Sequence, residues 1–83
     1  MRHPEWFGNH EHVWELMKKA GLLSSDSEQK IAMRMIIKHR YIDMMNTVEA
    51  IMTLLYEDNI PLSRSTYYRL FKSAVDTMEK YET

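Results

Sequence analysis

The chain has 83 residues, a formal net charge of -1 and no cysteine. The missing cysteine excludes a disulfide framework, a thiol nucleophile and a cysteine-ligated zinc site. With two glycines, two prolines and a composition that is 45% hydrophobic and 28% charged, the sequence favours helices over strands and turns. It therefore predicts one all-α domain over residues 1–83, a small bundle of about four helices.

The first residues predict a cytoplasmic protein. Residues 1–5 do not begin a signal peptide, and no apolar run in the chain approaches the roughly 18 residues that a membrane-spanning helix needs. Pro4, Trp6 and Phe7 form a short lead-in that we expect to pack against the rest of the domain. No membrane partner is expected.

The first helix is predicted over residues 10–20, inside an amino-terminal unit of residues 1–26. Asn9 precedes it as an N-cap, and Gly21 follows it as a left-handed residue that ends the helix. Its apolar positions recur at helical spacing and predict one buried stripe, which consists of Val13, Trp14, Leu16, Met17 and Ala20.

Three histidines near the amino terminus raise the question of a metal site. His10 and His12 are two residues apart and point to different sides of a helix, whereas metal-binding pairs need a spacing of three or four. His12 and Glu15 have that spacing, but single pairs of this kind are common on solvated helix faces. We therefore expect surface side chains here, as for His3, and neither a metal nor a cofactor.

The longest helix is predicted over residues 27–45, after a cap from Ser25 or Asp26, and it opens the second unit, residues 27–83. Its apolar residues cover more than one face, so it must be covered from more than one side. Either the first helix and the carboxy-terminal helices cover it, or a second copy of the chain supplies one of the two. The central stripe is predicted to contain Ile31, Met35, Tyr41 or Ile42, and Met45.

Two further helices complete the chain. Thr47 can cap a helix over residues 48–56, the stretch from Glu57 to Pro61 breaks it, and Ser63 can cap a new helix. A helix, a short connection and a second capped helix have the layout of a helix-turn-helix, whose second member is the recognition helix. The same layout fits any small helical bundle.

The helix capped by Ser63 has two contrasting faces. Its apolar stripe consists of Tyr67, Leu70, Phe71, Ala74 and Met78. The opposite face carries Arg64, Ser65, Tyr68, Arg69 and Lys72, and residues 63–75 contain three cations and no acid. This composition is typical of a helix that reads a DNA groove, although a solvated face has it too. Lys38 and Arg40, on the polar side of the long helix, are candidates for additional phosphate contacts.

Three stretches together resemble a known family. They are residues 36–43, IIKHRYID, residues 47–52, TVEAIM, and residues 62–75, LSRSTYYRLFKSAV. They are similar to the carboxy-terminal part of the ArpU/RinA-type phage transcriptional regulators, which look like the fourth region of sigma factors. The resemblance covers residues 36–78 and is most specific in the segment from Ser63 to Arg69.

The resemblance implies a phage or prophage regulator of transcription that binds double-stranded DNA. The helix after Ser63 would enter the major groove, with Arg64, Ser65, Tyr68, Arg69 and Lys72 facing the DNA. A homodimer and a contact with RNA polymerase or another protein remain open. The acidic, extended loop over residues 56–62 departs from the compact turn of the family.

Two other classes of function compete with DNA binding. A small phage module that binds and modulates a host or phage protein would use the methionine-rich helices and the acidic Glu57–Asp58 pair, and the small net charge favours it. An enzyme is not expected, because no Ser-His-Asp set, paired-carboxylate cleft or glycine-rich phosphate loop is visible. We favour DNA binding.

Overall fold

The computed structural model describes residues 3–24 and 26–82, and within these ranges it contains helices and no strand. A short 3₁₀ turn, Pro4–Trp6, precedes the first α-helix, and a π-helical turn, Lys38–Ile42, continues the second. The α-helices are α1 His10–Lys19, α2 Glu28–Ile37, α3 Val48–Glu57 and α4 Arg64–Glu79. The prediction of an all-α bundle is confirmed. None of the helices in this part of the chain is long and apolar enough to cross a membrane.

One hydrophobic cluster joins all four helices, and α2 and α4 form its centre. Helix α2 packs mainly against α4 and also against α3, whereas α1 packs against α4 and the π-helical turn that continues α2. Fully buried aliphatic and aromatic side chains each stabilise a fold by about 1.5–3 kcal/mol. The least exposed large ones are Trp6, Tyr41, Tyr67, Met17, Leu22, Ile36, Ile37, Ile51, Leu55 and Met78.

The predicted caps at Thr47 and Ser63 are confirmed. The Ser63 hydroxyl accepts a hydrogen bond from the amide of Thr66 at 3.2 Å, and the Thr47 hydroxyl accepts from Ala50 at 3.4 Å. Among the described residues, the Asn9 side chain makes no such bond, although Asn9 occupies the N-cap position of α1. Ser27 is the N-cap residue of α2, while the expected cap at Ser25 lies outside the described residues.

Helices α1 and α3 end in the same way. Gly21, with φ of 78°, and Asn59, with φ of 63°, both adopt the left-handed conformation. The next amide, of Leu22 or Ile60, donates to a helix carbonyl five residues earlier, at 3.0 Å and 2.8 Å respectively. This is a Schellman motif, which satisfies carbonyls that the helix end would otherwise leave unpaired. The prediction for Gly21 is confirmed, and Asn59 has the same role at α3.

The predicted stripe on α1 was wrong at Trp14, which is 49% exposed. Val13, Leu16 and Met17 face the core, and Trp14 lies to one side of them. On α2, the fully buried residues are Ala32, Met33, Ile36 and Ile37, while the predicted Ile31 and Met35 are half-buried at the edges. When apolar residues cover more than one face of a helix, the sequence alone does not show which of them are buried most deeply.

The second helix was predicted to continue to Met45, but it ends at Ile42 in the wider π-helical turn. The amide of Asp43 donates to the Lys38 carbonyl five residues earlier at 2.9 Å, and Met44 then turns left-handed with φ of 57°. The Asp43 carboxylate also accepts from Lys38 Nζ at 2.9 Å, so main-chain and side-chain bonds both close this end. The turn places Tyr41 in the core.

The connection between α3 and α4 consists of the six residues 58–63 and runs back along α3. Pro61 and Leu62 lie beside Met52, in the middle of α3. Arg64 Nη2 then meets Glu49 Oε1 at 2.7 Å, so α4 begins beside the first turn of α3. A helix-turn-helix joins its two members by three or four residues, whereas α3 and α4 are joined by six.

Candidate nucleic-acid interface

The outward face of α4 carries the five side chains that the sequence indicated. Arg64, Ser65, Tyr68, Arg69 and Lys72 are all exposed. The opposite side of the helix is anchored, because Tyr67, Leu70, Ala74, Val75 and Met78 are buried and Phe71 is half-buried. The five exposed residues, called the α4 face below, therefore lie on a rigid support and are accessible to a partner.

Arg64 and Glu49 form an exposed ion pair with 2.7 Å between Nη2 and Oε1. The Arg64 guanidinium lowers the pKa of Glu49, and the Glu49 carboxylate raises the pKa of Arg64, with a smaller contribution from Tyr68. Exposed pairs contribute little to stability because water and salt screen them. A phosphate can therefore replace Glu49 as the partner of Arg64 at small cost.

The other two cations of the α4 face differ in their surroundings. Lys72 Nζ donates to Asp76 Oδ2 at 2.8 Å, an exposed pair one helical turn apart. In the part of the chain that the structure describes, Arg69 has no ion-pair partner. It lies at the rim of a groove of about 530 Å³, which is bounded by Ile60, Leu62 and the start of α2 at Glu28. Arg69 is thus the cation of this face with the greatest freedom to meet an anion.

The amino terminus of α4 adds hydroxyl and amide groups to the same face. The Ser63 hydroxyl donates to Thr66 Oγ1 at 2.9 Å and lies 3.2 Å from Ser65 Oγ. The first amides of a helix have no partner inside the helix and carry the positive end of its dipole. Hydroxyl groups and helix amino termini both contact phosphate in protein–DNA complexes.

Tyr67 lies on the inner side of α4 and is buried in the core. Its ring is 1% exposed and contacts Tyr68 edge to face, with 5.4 Å between the ring centroids. Burial raises the pKa of its hydroxyl to about 12, and that hydroxyl has no hydrogen-bond partner among the described residues. The two adjacent tyrosines therefore differ, since Tyr67 belongs to the core and Tyr68 to the α4 face.

Lys38 and Arg40, the other predicted phosphate contacts, lie elsewhere. Lys38 pairs with Asp43 and lines a groove of about 490 Å³ that includes Trp14 of α1 and no residue of α4. Arg40 Nη1 donates to the Met45 carbonyl at 2.8 Å, and its guanidinium lies 4.8 Å from the ring centroid of Phe7. Both cations thus have partners within the fold other than the five residues of the α4 face.

Sequence reasoning missed the position of Glu49. This carboxylate is 15 residues from Arg64, and the two meet only because residues 58–63 return along α3. One feature of the sequence indicated this pair, the long acidic loop after Tyr56, because a long connection can run back along α3 to its first turn.

Comparison with known proteins gives no match, since no family model fits the chain and no curated protein or solved structure proves similar to it. The proposal below therefore depends on the residues of this chain and on the resemblance described above.

Proposed function

We propose that this protein is a sequence-specific, double-stranded DNA-binding regulator of phage transcription, with α4 as the recognition helix. One observation carries the proposal: residues 64–75 of α4 present three cations and no acid on an exposed face, while the other face is fixed in the core. A helix of this form fits the major groove, where arginine contacts guanine and serine, tyrosine and lysine contact phosphates or bases. The resemblance of residues 36–78 to phage regulators agrees with it.

The charge distribution sets the strength of binding. The net charge of -1 gives little long-range attraction to DNA, so binding depends on the α4 face. If Arg64, Arg69 and Lys72 each neutralise one phosphate, the slope of log K against log salt is about -2.7, from about -0.9 per contact. This is a weak, salt-sensitive site, for which a second copy on a symmetric operator is a natural way to gain affinity.

The test measures DNA binding directly. A random-sequence duplex pool is selected on the purified chain, and fluorescence anisotropy with a selected duplex then gives K at several salt concentrations. We expect Arg69→Ala to weaken binding by about 10-fold, within the roughly 1–3 kcal/mol of such contacts, and to reduce the slope by about 1. Lys38→Ala removes the same charge outside the α4 face, where Lys38 pairs with Asp43, and is expected to bind like the wild type. Absence of binding at low salt, or equal losses in both variants, would contradict the proposal.

A second candidate is protein binding, and the groove that contains Trp14 favours it. Trp14 and Met44 are about half exposed, at 49% and 57%, and Trp14 shares the groove with Ile42. Exposed large apolar side chains of this kind often mark protein contacts. In this case Trp14→Ser, rather than Arg69→Ala, would abolish the interaction, and analytical ultracentrifugation of both variants would also reveal a homodimer that uses this surface.

A further inference from the structure

At the carboxy-terminal end of α4, five ionisable side chains meet that are distant in sequence. Glu5 comes from the 3₁₀ turn and His3 directly precedes it, His12 comes from α1, Glu79 is the last residue of α4, and Glu82 follows three residues later. The shared feature is a set of imidazole nitrogens and carboxylate oxygens, which are the atoms that bind zinc when cysteine is absent. These five residues are called the His–Glu cluster below.

His3 is oriented by contacts on both sides of its ring. Its Nε2 lies 2.5 Å from Glu79 Oε2, while Nδ1 faces Glu5 Oε1 at 3.0 Å and Glu82 Oε1 at 3.7 Å. Metal-binding histidines almost always donate their second ring N–H to a carboxylate, which fixes the tautomer and the ring direction. Glu79 is placed to accept this bond from His3 Nε2, which leaves Nδ1 as the nitrogen that faces Glu5 and Glu82.

The remaining ligand atoms are also held in position. Glu82 Oε2 accepts from Trp6 Nε1 at 2.9 Å and lies 2.8 Å from His12 Nε2. The His3 ring stacks on buried Trp6, with 4.0 Å between centroids, so the core supports the cluster from below. The ligand atoms of His3, Glu5 and Glu82 all lie within 4.8 Å of one another.

These distances suit a small divalent cation. Ligands about 2.0–2.1 Å from a tetrahedral Zn²⁺ lie about 3.3 Å apart, and the two contacts of His3 Nδ1 fall on either side of that value. Three carboxylates face at most two imidazolium charges, so a divalent cation also reduces an excess of negative charge. The imidazole of His3 among the ligands favours zinc over magnesium or calcium, which take oxygen ligands.

We propose that the His–Glu cluster binds one Zn²⁺, with His3 Nδ1, Glu5 and Glu82 as ligands. Glu79 positions His3, and His12 positions Glu82 through its contact with Oε2. The ligands come from both ends of the chain, so the cation ties the 3₁₀ turn to the segment that follows α4. Binding to the folded chain alone raises its stability in proportion to the logarithm of the free zinc concentration. The site does not depend on DNA binding by the α4 face.

The structure supplies an optical reporter for the test, because Trp6 contacts both His3 and Glu82. In a full-length Trp14→Phe chain, treated with chelator and dialysed, Trp6 is the one tryptophan that remains. We expect buffered Zn²⁺ to change its emission, to saturate at one ion per chain and to raise the melting temperature. The Co²⁺-substituted protein is expected to show the absorption of a four-coordinate site with nitrogen and oxygen ligands.

Glu5→Gln and Glu82→Gln keep the size of each side chain and remove a charged ligand. We expect each to weaken zinc binding by at least about 10-fold, the smaller end of the range for disturbed metal sites. His10→Ala is the matched control, because His10 is exposed and lies outside the cluster. Circular dichroism establishes that each variant is folded at the titration temperature. No saturable zinc binding in the wild type, or losses in His10→Ala equal to those in Glu5→Gln and Glu82→Gln, would overturn the proposal.

Discussion

The two ends of α4 have opposite charge. Residues 64–75 contain three cations and no acid, whereas residues 76–82 contain three acids, Asp76, Glu79 and Glu82, and one cation, Lys80. The first end is exposed, and its ion pairs with Glu49 and Asp76 are on the surface. The second end is bonded to His3, His12 and Trp6. A net charge close to zero therefore conceals two separated patches, and composition alone cannot show what either patch binds.

The two ends of α4 also differ in how firmly their side chains are held. Cations on the α4 face keep long, solvated side chains that can rearrange around a phosphate, at the small cost of an exposed ion pair. The side chains of the His–Glu cluster are instead hydrogen-bonded to one another, and Glu82 also accepts from the indole of buried Trp6. One helix thus combines an adaptable surface with a preorganised one, and variants can test whether the two are independent.

The largest loss of stability is expected from a substitution on the buried side of α4, which supports both ends of the helix. Leu70 is 3% exposed and lies in the central cluster, so Leu70→Ala should reduce the free energy of unfolding by about 2–5 kcal/mol. Urea denaturation measures this loss. Ser73→Ala, at an exposed position one turn further on, should change stability by less than about 0.5 kcal/mol. Equal stability of the two variants would contradict this placement of the core.

A smaller loss of stability is expected from a substitution beside Glu82, at the acidic end of α4. Trp6→Phe keeps an aromatic ring in the core but removes the N–H that donates to Glu82, and a hydrogen bond to a charged group contributes about 1.5–3 kcal/mol. We expect lower stability in urea and unchanged DNA affinity at temperatures where the variant is folded. If DNA binding falls together with stability in the folded variant, then the two ends of α4 are coupled.

The smallest expected effect concerns the basic end. Ser63→Ala removes the hydroxyl that accepts from the Thr66 amide, and loss of such a cap costs about 1 kcal/mol. Amide hydrogen exchange should increase over the first turn of α4 and stay unchanged near Glu79. Ser73→Ala is the control, since Ser73 is exposed in the middle of α4 and does not cap the helix. Uniform exchange along α4 in both variants would show that the cap does not hold this end.

Local chemistry made much of the fold predictable. Hydroxyl caps at Thr47 and Ser63, the left-handed glycine at Gly21 and the apolar spacing of α4 each depend on neighbours within one or two turns. The half-exposed Trp14 and the early end of the second helix depend instead on tertiary contacts. Tyr41 enters the core through the π-helical turn, and its carbonyl accepts from Gly8 at 2.9 Å, a partner 33 positions earlier.

The two candidate sites also differ in how far the sequence predicts them. Exposure of the five residues of the α4 face follows from helical periodicity, because the opposite side is apolar. The partner of Arg64 and the His–Glu cluster could not be predicted, since each joins segments that only the folded chain brings together. The spacing of His10 and His12 gave no indication of a metal site for this reason. The side-chain partner of His12 is Glu82, 70 positions further along the chain.

The most direct test of the DNA-binding surface is a ¹H–¹⁵N correlation spectrum of the full chain, titrated with the selected duplex. We expect the largest shift changes at the amides of residues 63–73 and at the side-chain Nε–H of Arg69, and small changes at Glu79 and Glu82. Changes that cluster around Trp14 and Ile42, with residues 63–73 unaffected, would contradict the assignment of α4 as the DNA-binding helix.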